Sequence, residues 1–335
     1  MPDTIVTSSG EGNTPLIESR RIARELGLAR LLFKRESTNP TGSYKDRFIA
    51  AEVAHLLASG ARACVATSSG NTGASLAAYC ARFEIACTIV VSDSTPAGKL
   101  VQMAAHGARL IKVTGFTTDT AVSQRVMADL GEYSQRRNAP LVVSAYRYCP
   151  AGMTGVESLG REIAGKAAHV FVPAGSGGLF IATGRGVAGA ARVHAVQPAG
   201  CSTFVASFER GTNEIIPVAS ATRVSGLSVP FDIDATLALA ELRSRGGLGL
   251  AASDEAIFDA QRMMMELEGI YCEPAGAAAL AGLRLALAAG AVSKTESAIC
   301  VVSGHGFKDP DAAAAVAARH PAAAVTVDQL AGALP

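Results

Sequence analysis

Two kinds of apolar repeat alternate along this chain of 335 residues. Short, mainly apolar runs, the first of them ending in Lys34 and Arg35, read as strands over 31–35, 63–67, 86–91, 109–113 and 141–144, and again over 170–173, 193–197 and 298–302. Between them apolar residues recur every three or four positions, which predicts helices over 19–26, 74–83, 99–106, 118–135, 179–190, 232–243, 253–268, 274–289 and 309–319. A further helix follows Lys45, because Ile49, Val53, Leu56 and Leu57 share one face and Gly60 closes the run. Residues 1–12 are polar and read as irregular, and 12–16 as a turn entering a short extended segment. Alternating strands and helices imply an α/β protein whose parallel sheets are covered on both faces, with right-handed crossovers. No stretch rich in Pro, Ser or charge separates the halves, so two tightly joined lobes are expected rather than tethered modules.

Composition narrows the function. Thirty basic residues nearly cancel twenty-nine acidic ones, which argues against nucleic acid or a charged membrane surface as partner. The Ala-rich stretch 275–289 is interrupted by glycines and Arg284, so it reads as a buried helix and not a membrane span. The seven cysteines are scattered, none in C-x-x-C spacing, and no His, Cys, Asp and Glu cluster has metal-ligand spacing; reduced, buried thiols and no metal are expected. With no charged, apolar leader before Thr14, a cytoplasmic location is expected.

Four loops could carry chemistry. In 39–47, Asn-Pro-Thr-Gly is turn chemistry between a strand and a helix, and it delivers Lys45 to a helix N-terminus. A cation there opposes the helix dipole, and Arg47 adds a second charge. That suits an amine nucleophile, although a solvated Lys45 paired with Asp46 fits the same residues. Gly175, Ser176, Gly177 and Gly178 lie between a strand and a helix, where converging N–H groups can cradle a phosphate or simply form a βα turn. The loop Ser68, Ser69, Gly70, Asn71 and Thr72 can hold a carboxylate, and Thr72 can equally cap the next helix. Ser303 follows a buried strand, where α/β sites lie; His305 beside it could serve as a base, although a lone His in a glycine turn is more often structural. The literal G-x-G-x-x-G at 184–189 leaves no room for a helix before the next strand, so a dinucleotide site is not expected there.

In order, the runs 11–16, 39–47, 68–75, 273–275 with its Ala-rich helix, and 303–311 resemble the fold-type-II pyridoxal-phosphate enzymes, and among them the threonine synthases. The resemblance implies two lobes, each a mainly parallel sheet flanked by helices. The large cofactor-binding domain would comprise 1–50 and 146–325, and a small mobile domain 51–145. It implies that Lys45 carries pyridoxal 5'-phosphate as an internal aldimine and then shuttles protons, that Asn71 meets the pyridoxal O3', that Gly175, Ser176, Gly177 and Gly178 hold the phosphate, and that Ser303 faces the ring nitrogen. Ser68, Ser69 and Thr72 would receive the substrate carboxylate, while Ser144 and Arg147 would lie at the leaving group. The implied reaction is γ-elimination of phosphate from O-phospho-L-homoserine and addition of water at Cβ, in a homodimer. Departures leave β-elimination or β-replacement open: Phe48 stands where the family usually has Gly, 144–150 lacks the expected Asn, and 224–230 looks like the dehydratases.

Overall fold

The computed structural model describes residues 6–117 and 119–334; Met1–Ile5, at the start of the expected irregular lead, and Thr118, the expected first residue of a helix, lie outside them. The strands are β1 (Leu16–Glu18), β2 (Arg30–Arg35), β3 (Ala63–Ala66), β4 (Ala86–Ser92), β5 (Arg109–Val113), β6 (Leu141–Val142), β7 (His169–Pro173), β8 (Arg192–Pro198), β9 (Gly249–Ala252) and β10 (Ser297–Val302). The helices are α1 (Ile22–Leu26), α2 (Lys45–Ala58), α3 (Asn71–Arg82), α4 (Ala97–Ala105), α5 (Thr120–Arg137), α6 (Pro150–Ile163), α7 (Gly178–Val187), α8 (Phe204–Glu209), α9 (Ala235–Ser244), α10 (Asp254–Glu268), α11 (Pro274–Ala288), α12 (Pro310–Ala317) and α13 (Val327–Ala333).

Two sheets result. One runs β1-β2-β10-β7-β8-β9, parallel except for β1; the other, β5-β4-β3-β6, is wholly parallel. Successive side chains of a strand point to opposite faces. Accordingly Leu32 joins an apolar core with Phe48, Val53, Val156 and Phe180, and this core continues to Cys64 and Leu76 by the smaller sheet. Leu31 and Phe33 join a second core with Phe171, Leu280 and Met264 on the other face of the larger sheet. Among the described residues no helix is long and apolar enough to cross a membrane.

Some boundaries move for local reasons. Helix α1 starts at Ile22 rather than Ser19 because the Glu268 carboxylate accepts the N–H groups of Arg20, Arg21 and Ile22 at 2.8–3.1 Å, closing the first turn from outside. Pattern alone does not predict β9, whose Gly-Leu-Ala-Ala lacks β-branched residues. The G-x-G-x-x-G stretch lies in α7 and its end. There a Cβ on Gly186 would overlap the Glu157 carbonyl, so that glycine serves close packing of α7 on α6. Carboxyl ends of strands aim at one seam: β2 leads to the Lys45 turn, β3 to Ser68, β6 to Ser144, β7 to Gly175 and β10 to Ser303.

Candidate active site

The turn that delivers Lys45 is fixed by buried polar bonds. Gly42 has φ +91°, which L side chains rarely adopt, and its carbonyl accepts the His305 N–H at 2.9 Å. The Tyr44 N–H donates to the Ser303 carbonyl at 3.0 Å. Asp46 is fully buried; it accepts from the Thr41 N–H at 2.8 Å, the Thr41 hydroxyl at 2.6 Å and the Ser75 hydroxyl at 2.5 Å. A solvated Lys45–Asp46 pair is therefore ruled out. Arg47 does not act on Lys45 as a bare second cation either: its guanidinium donates to Glu36 at 2.7 and 2.9 Å and to Glu162 at 2.6 and 2.9 Å. Burial opposes ionisation of Glu162, but Arg47 and Lys34 outweigh it and hold that carboxyl down at about 2.

Lys45 is the first residue of α2, and its Nζ donates to the Ser144 hydroxyl. Thr72 Oγ1 donates to the same oxygen at 3.2 Å. The Tyr44 ring lies under the ammonium, 4.6 Å from centroid to Nζ. Lys45, Thr72 and Ser144 thus meet although they come from three separate elements. Helix α3 starts at Asn71 with Gly70 as its cap, so Thr72 is not the capping residue and its hydroxyl is free for Ser144. Ser68 and Ser69 are half-buried in the loop before it. Gly73 keeps that loop tight, since a Cβ there would overlap the Ser68 carbonyl.

After β7 the chain turns through Gly175 to Gly178. Among the described residues the N–H groups of Gly175, Ser176, Gly177 and Gly178 find no acceptor, and Gly178 opens α7. Gly177 has φ +106°, and a Cβ on it would overlap Ala238. Four free N–H groups at a helix N-terminus are a fitting cradle for a phosphate, and no basic side chain is needed. Asp234 sits at its rim, 3.3 Å from where a Gly178 Cβ would stand, and accepts the N–H groups of Tyr146 at 2.8 Å and Arg147 at 3.1 Å. Burial pushes the Asp234 carboxyl up, partly offset by those N–H groups and by Lys45.

On the far side, Asn71 Nδ2 donates to Glu273 Oε1 at 2.8 Å. Burial pushes the Glu273 carboxyl up to about 7, with Asn71 and Lys308 pulling the other way. Gly304 is required beside it, because a Cβ there would overlap Oε1. Ser303 is a buried residue, yet its hydroxyl is neither hydrogen-bonded to another side chain nor among the sealed, unpartnered polar atoms of the described residues, leaving it available to a ligand group. Lys308 completes this side. Its Nζ reaches Gln102 on α4 at 2.6 Å, and burial pushes the amine down. Arg147 is placed differently from these residues: its side chain is exposed along a groove of about 520 Å³ lined also by Tyr146, Asp232, Asp234 and Thr236.

Asp234 and Gln102 have no signal in the sequence, and Glu273 and Lys308 stand in runs that carry the resemblance but gave neither of them a role. Only the fold brings them to Lys45. The arrangement offers one amine with hydroxyl partners, an anion cradle, a near-neutral carboxyl beside an amide, and a free hydroxyl. It fits pyridoxal phosphate: Gly175–Gly178 suit its phosphate, Lys45 its aldehyde, Asn71 its hydroxyl and Ser303 its ring nitrogen.

Comparisons agree. The family model described as "Pyridoxal-phosphate dependent enzyme" matches residues 7–304. The threonine synthase of Methanocaldococcus jannaschii is 32% identical over 92% of this chain and 78% of its own length. Maize serine racemase superposes with TM-score 0.77 at 21% identity, covering 92% of each chain. A threonine deaminase from T.th. gives 0.73 at 25% identity, over 88% of this chain and 92% of its own. The chain belongs to the pyridoxal-phosphate dependent enzymes of fold type II, as a lyase of the threonine synthase-like group.

Proposed function

We propose that this enzyme acts on an O-phosphorylated amino acid, eliminating phosphate from the γ-carbon of O-phospho-L-homoserine and adding water at Cβ to give L-threonine. The observation that carries this reading is the likeness to threonine synthase over 92% of the chain. The meeting of Lys45, Thr72 and Ser144 is compatible with it. When bound, pyridoxal phosphate supplies an electron sink for negative charge at the substrate Cα. The chain's own residues do the rest. Lys45 Nζ moves the proton at Cα and later at the neighbouring carbons. Ser144 and Thr72 orient that amine through their shared hydroxyl contact. The free N–H groups of Gly175–Gly178 anchor the cofactor phosphate, and Ser68 and Ser69 with Thr72 receive the substrate carboxylate. Arg147, a planar fork suited to phosphate, meets the leaving group when residues 51–145 close as a small lobe over the rest. A homodimer working in the cytoplasm accompanies this reading.

A second reading, β-elimination or β-replacement on serine, threonine or an O-activated serine, is favoured by one observation. The Arg147 side chain is exposed and makes no hydrogen bond among the described residues. Assays of phosphate, keto-acid and threonine release from O-phosphohomoserine, O-phosphoserine, serine and threonine separate the two. Arg147→Ala should lower kcat/KM for the phosphorylated substrate by about 1.5–3 kcal/mol, the worth of a hydrogen bond to a charged group. Its effect on serine should be far smaller. Keto acid from serine or threonine without phosphate-dependent turnover overturns the first reading.

A further inference from the structure

Three of the seven cysteines converge where the sequence keeps them apart. Cys64 lies in β3, Cys80 in α3 and Cys87 in β4, and their three sulfurs all lie within 4.8 Å of one another. Cys64 Sγ and Cys80 Sγ are 3.5 Å apart. Cys64 and Cys80 are 1% exposed and Cys87 8%, so Cys87 marks the way in. No spacing rule finds this group, because its members are brought together by the β3–α3–β4 crossover rather than by a metal-ligand motif.

We propose that Cys64, Cys80 and Cys87 form a binding site for one trivalent thiophilic metalloid, the arsenite class. Charge decides the class of ion. Three thiolates carry three negative charges, and an unbalanced charge buried in an apolar core is costly. A monovalent soft ion would leave two of those charges and a divalent ion one, whereas a trivalent centre leaves none. Size agrees as well. Bonds of about 2.3 Å, a typical ion–thiolate length, meeting at near right angles hold sulfurs roughly 3.3–3.5 Å apart. That matches the Cys64–Cys80 separation, and the Cys87 sulfur, within 4.8 Å of the other two, has at most about 1.5 Å to move inward. No fourth side chain completes the group among the described residues, and a pyramidal three-coordinate centre needs none. The step balances without a redox partner. Three As–S bonds form and three As–O bonds of arsenous acid break. The three thiol protons leave with its hydroxyls as three waters, and arsenic keeps its oxidation state.

The probe is arsenite added to the reduced, cofactor-loaded enzyme, read by intact-protein mass spectrometry. The expected product is one arsenic per chain with three hydrogens lost and no oxygen retained. Peptide mapping should show Cys64, Cys80 and Cys87 protected from iodoacetamide. Cys64→Ala should weaken binding at least tenfold and leave an adduct that keeps one hydroxyl. Cys300→Ala should change neither. If Cys64→Ala does not fold, the adduct mass and protection pattern of the unaltered chain still decide. Absence of an adduct, an adduct that retains oxygen in the unaltered chain, or protection of other cysteines would overturn the proposal.

Discussion

Replacing Glu273 by Gln should make the protein more stable at alkaline pH and leave it little changed in acid. Glu273 is 7% exposed, hydrogen-bonded to Asn71 and faced by Lys308, Asp309 and Lys45. Burial outweighs the favourable neighbours and moves the carboxyl from 4.5 to about 7. A folded-state value above the unfolded one means that the protonated form is preferred in the fold. The associated stability is therefore fully present below about pH 4.5 and is lost as pH rises through about 7. A shift of that size corresponds to about 3 kcal/mol, at about 1.4 kcal/mol per pH unit. Gln keeps an acceptor for Asn71 and cannot ionise. Urea unfolding of both proteins at several pH values between 4.5 and 8 gives the difference curve, from which the titrations they share cancel. The variant should gain about 3 kcal/mol on the unaltered chain across that range. A difference curve flat to within about 0.5 kcal/mol would show that Glu273 stays ionised throughout, and that the Asn71 pair is a charged one.

Other substitutions test the remaining parts of the site. Lys45→Ala should abolish turnover, and borohydride should no longer fix the cofactor to the chain; fixation at any other lysine would remove Lys45 from its role. Ser303→Ala should retain cofactor, because the Gly175–Gly178 cradle remains, but slow turnover by up to about tenfold, the equivalent of one hydrogen bond of about 0.5–1.5 kcal/mol; an unchanged rate and ring spectrum would mean no contact. Arg47→Met should destabilise the fold by about 3–5 kcal/mol, since it leaves the fully buried Glu36 carboxylate without its cation, read as a lowered urea midpoint; a loss below about 1 kcal/mol would mean that Thr14 and Asn39 suffice for Glu36.

How much of this was legible from sequence follows the range of each interaction. The strand–turn–helix at Lys45 and the glycine loop at 175–178 are local: Gly, Pro and the period of apolar residues set them within a few positions. Most strands and helices were legible for the same reason, as was the place of the G-x-G-x-x-G match within a helix, but α6 (Pro150–Ile163), α8, α13 and β9 were not predicted: Pro150, Gly152, Gly155 and Gly160 mask the helical period of α6, and the others are short. The charges near Lys45 were not. Sequence adjacency pairs Lys45 with Asp46 and sets Arg47 beside it. In the fold Asp46 turns inward to Thr41 and Ser75, while Arg47 reaches Glu162, more than a hundred positions away. Likewise Asn71 and Glu273 are 202 positions apart, and Cys64 and Cys80 meet only because α3 folds back over β3. Such contacts are set by the crossover topology, which one sequence does not spell out residue by residue.

The electrostatics of the seam explain why its anion cradle contains no basic side chain. Three carboxyl groups, Asp46, Asp234 and Glu273, are buried around Lys45, and burial raises all three. Asp46 and Asp234 are each satisfied by N–H or hydroxyl donors rather than by an ion pair. Had Lys45 been paired with any one of them, its amine would be held by charge and poorly suited to act as a nucleophile. Its hydrogen-bond partner is instead the neutral Ser144 hydroxyl. The same economy of charge applies at Gly175–Gly178. An Arg or Lys placed there would be drawn to the Asp234 carboxylate at the cradle's rim, which lies within reach of Gly178. Backbone N–H groups cannot swing toward that carboxylate, so their partial positive charge stays in the loop, where an anion of the phosphate kind would fit.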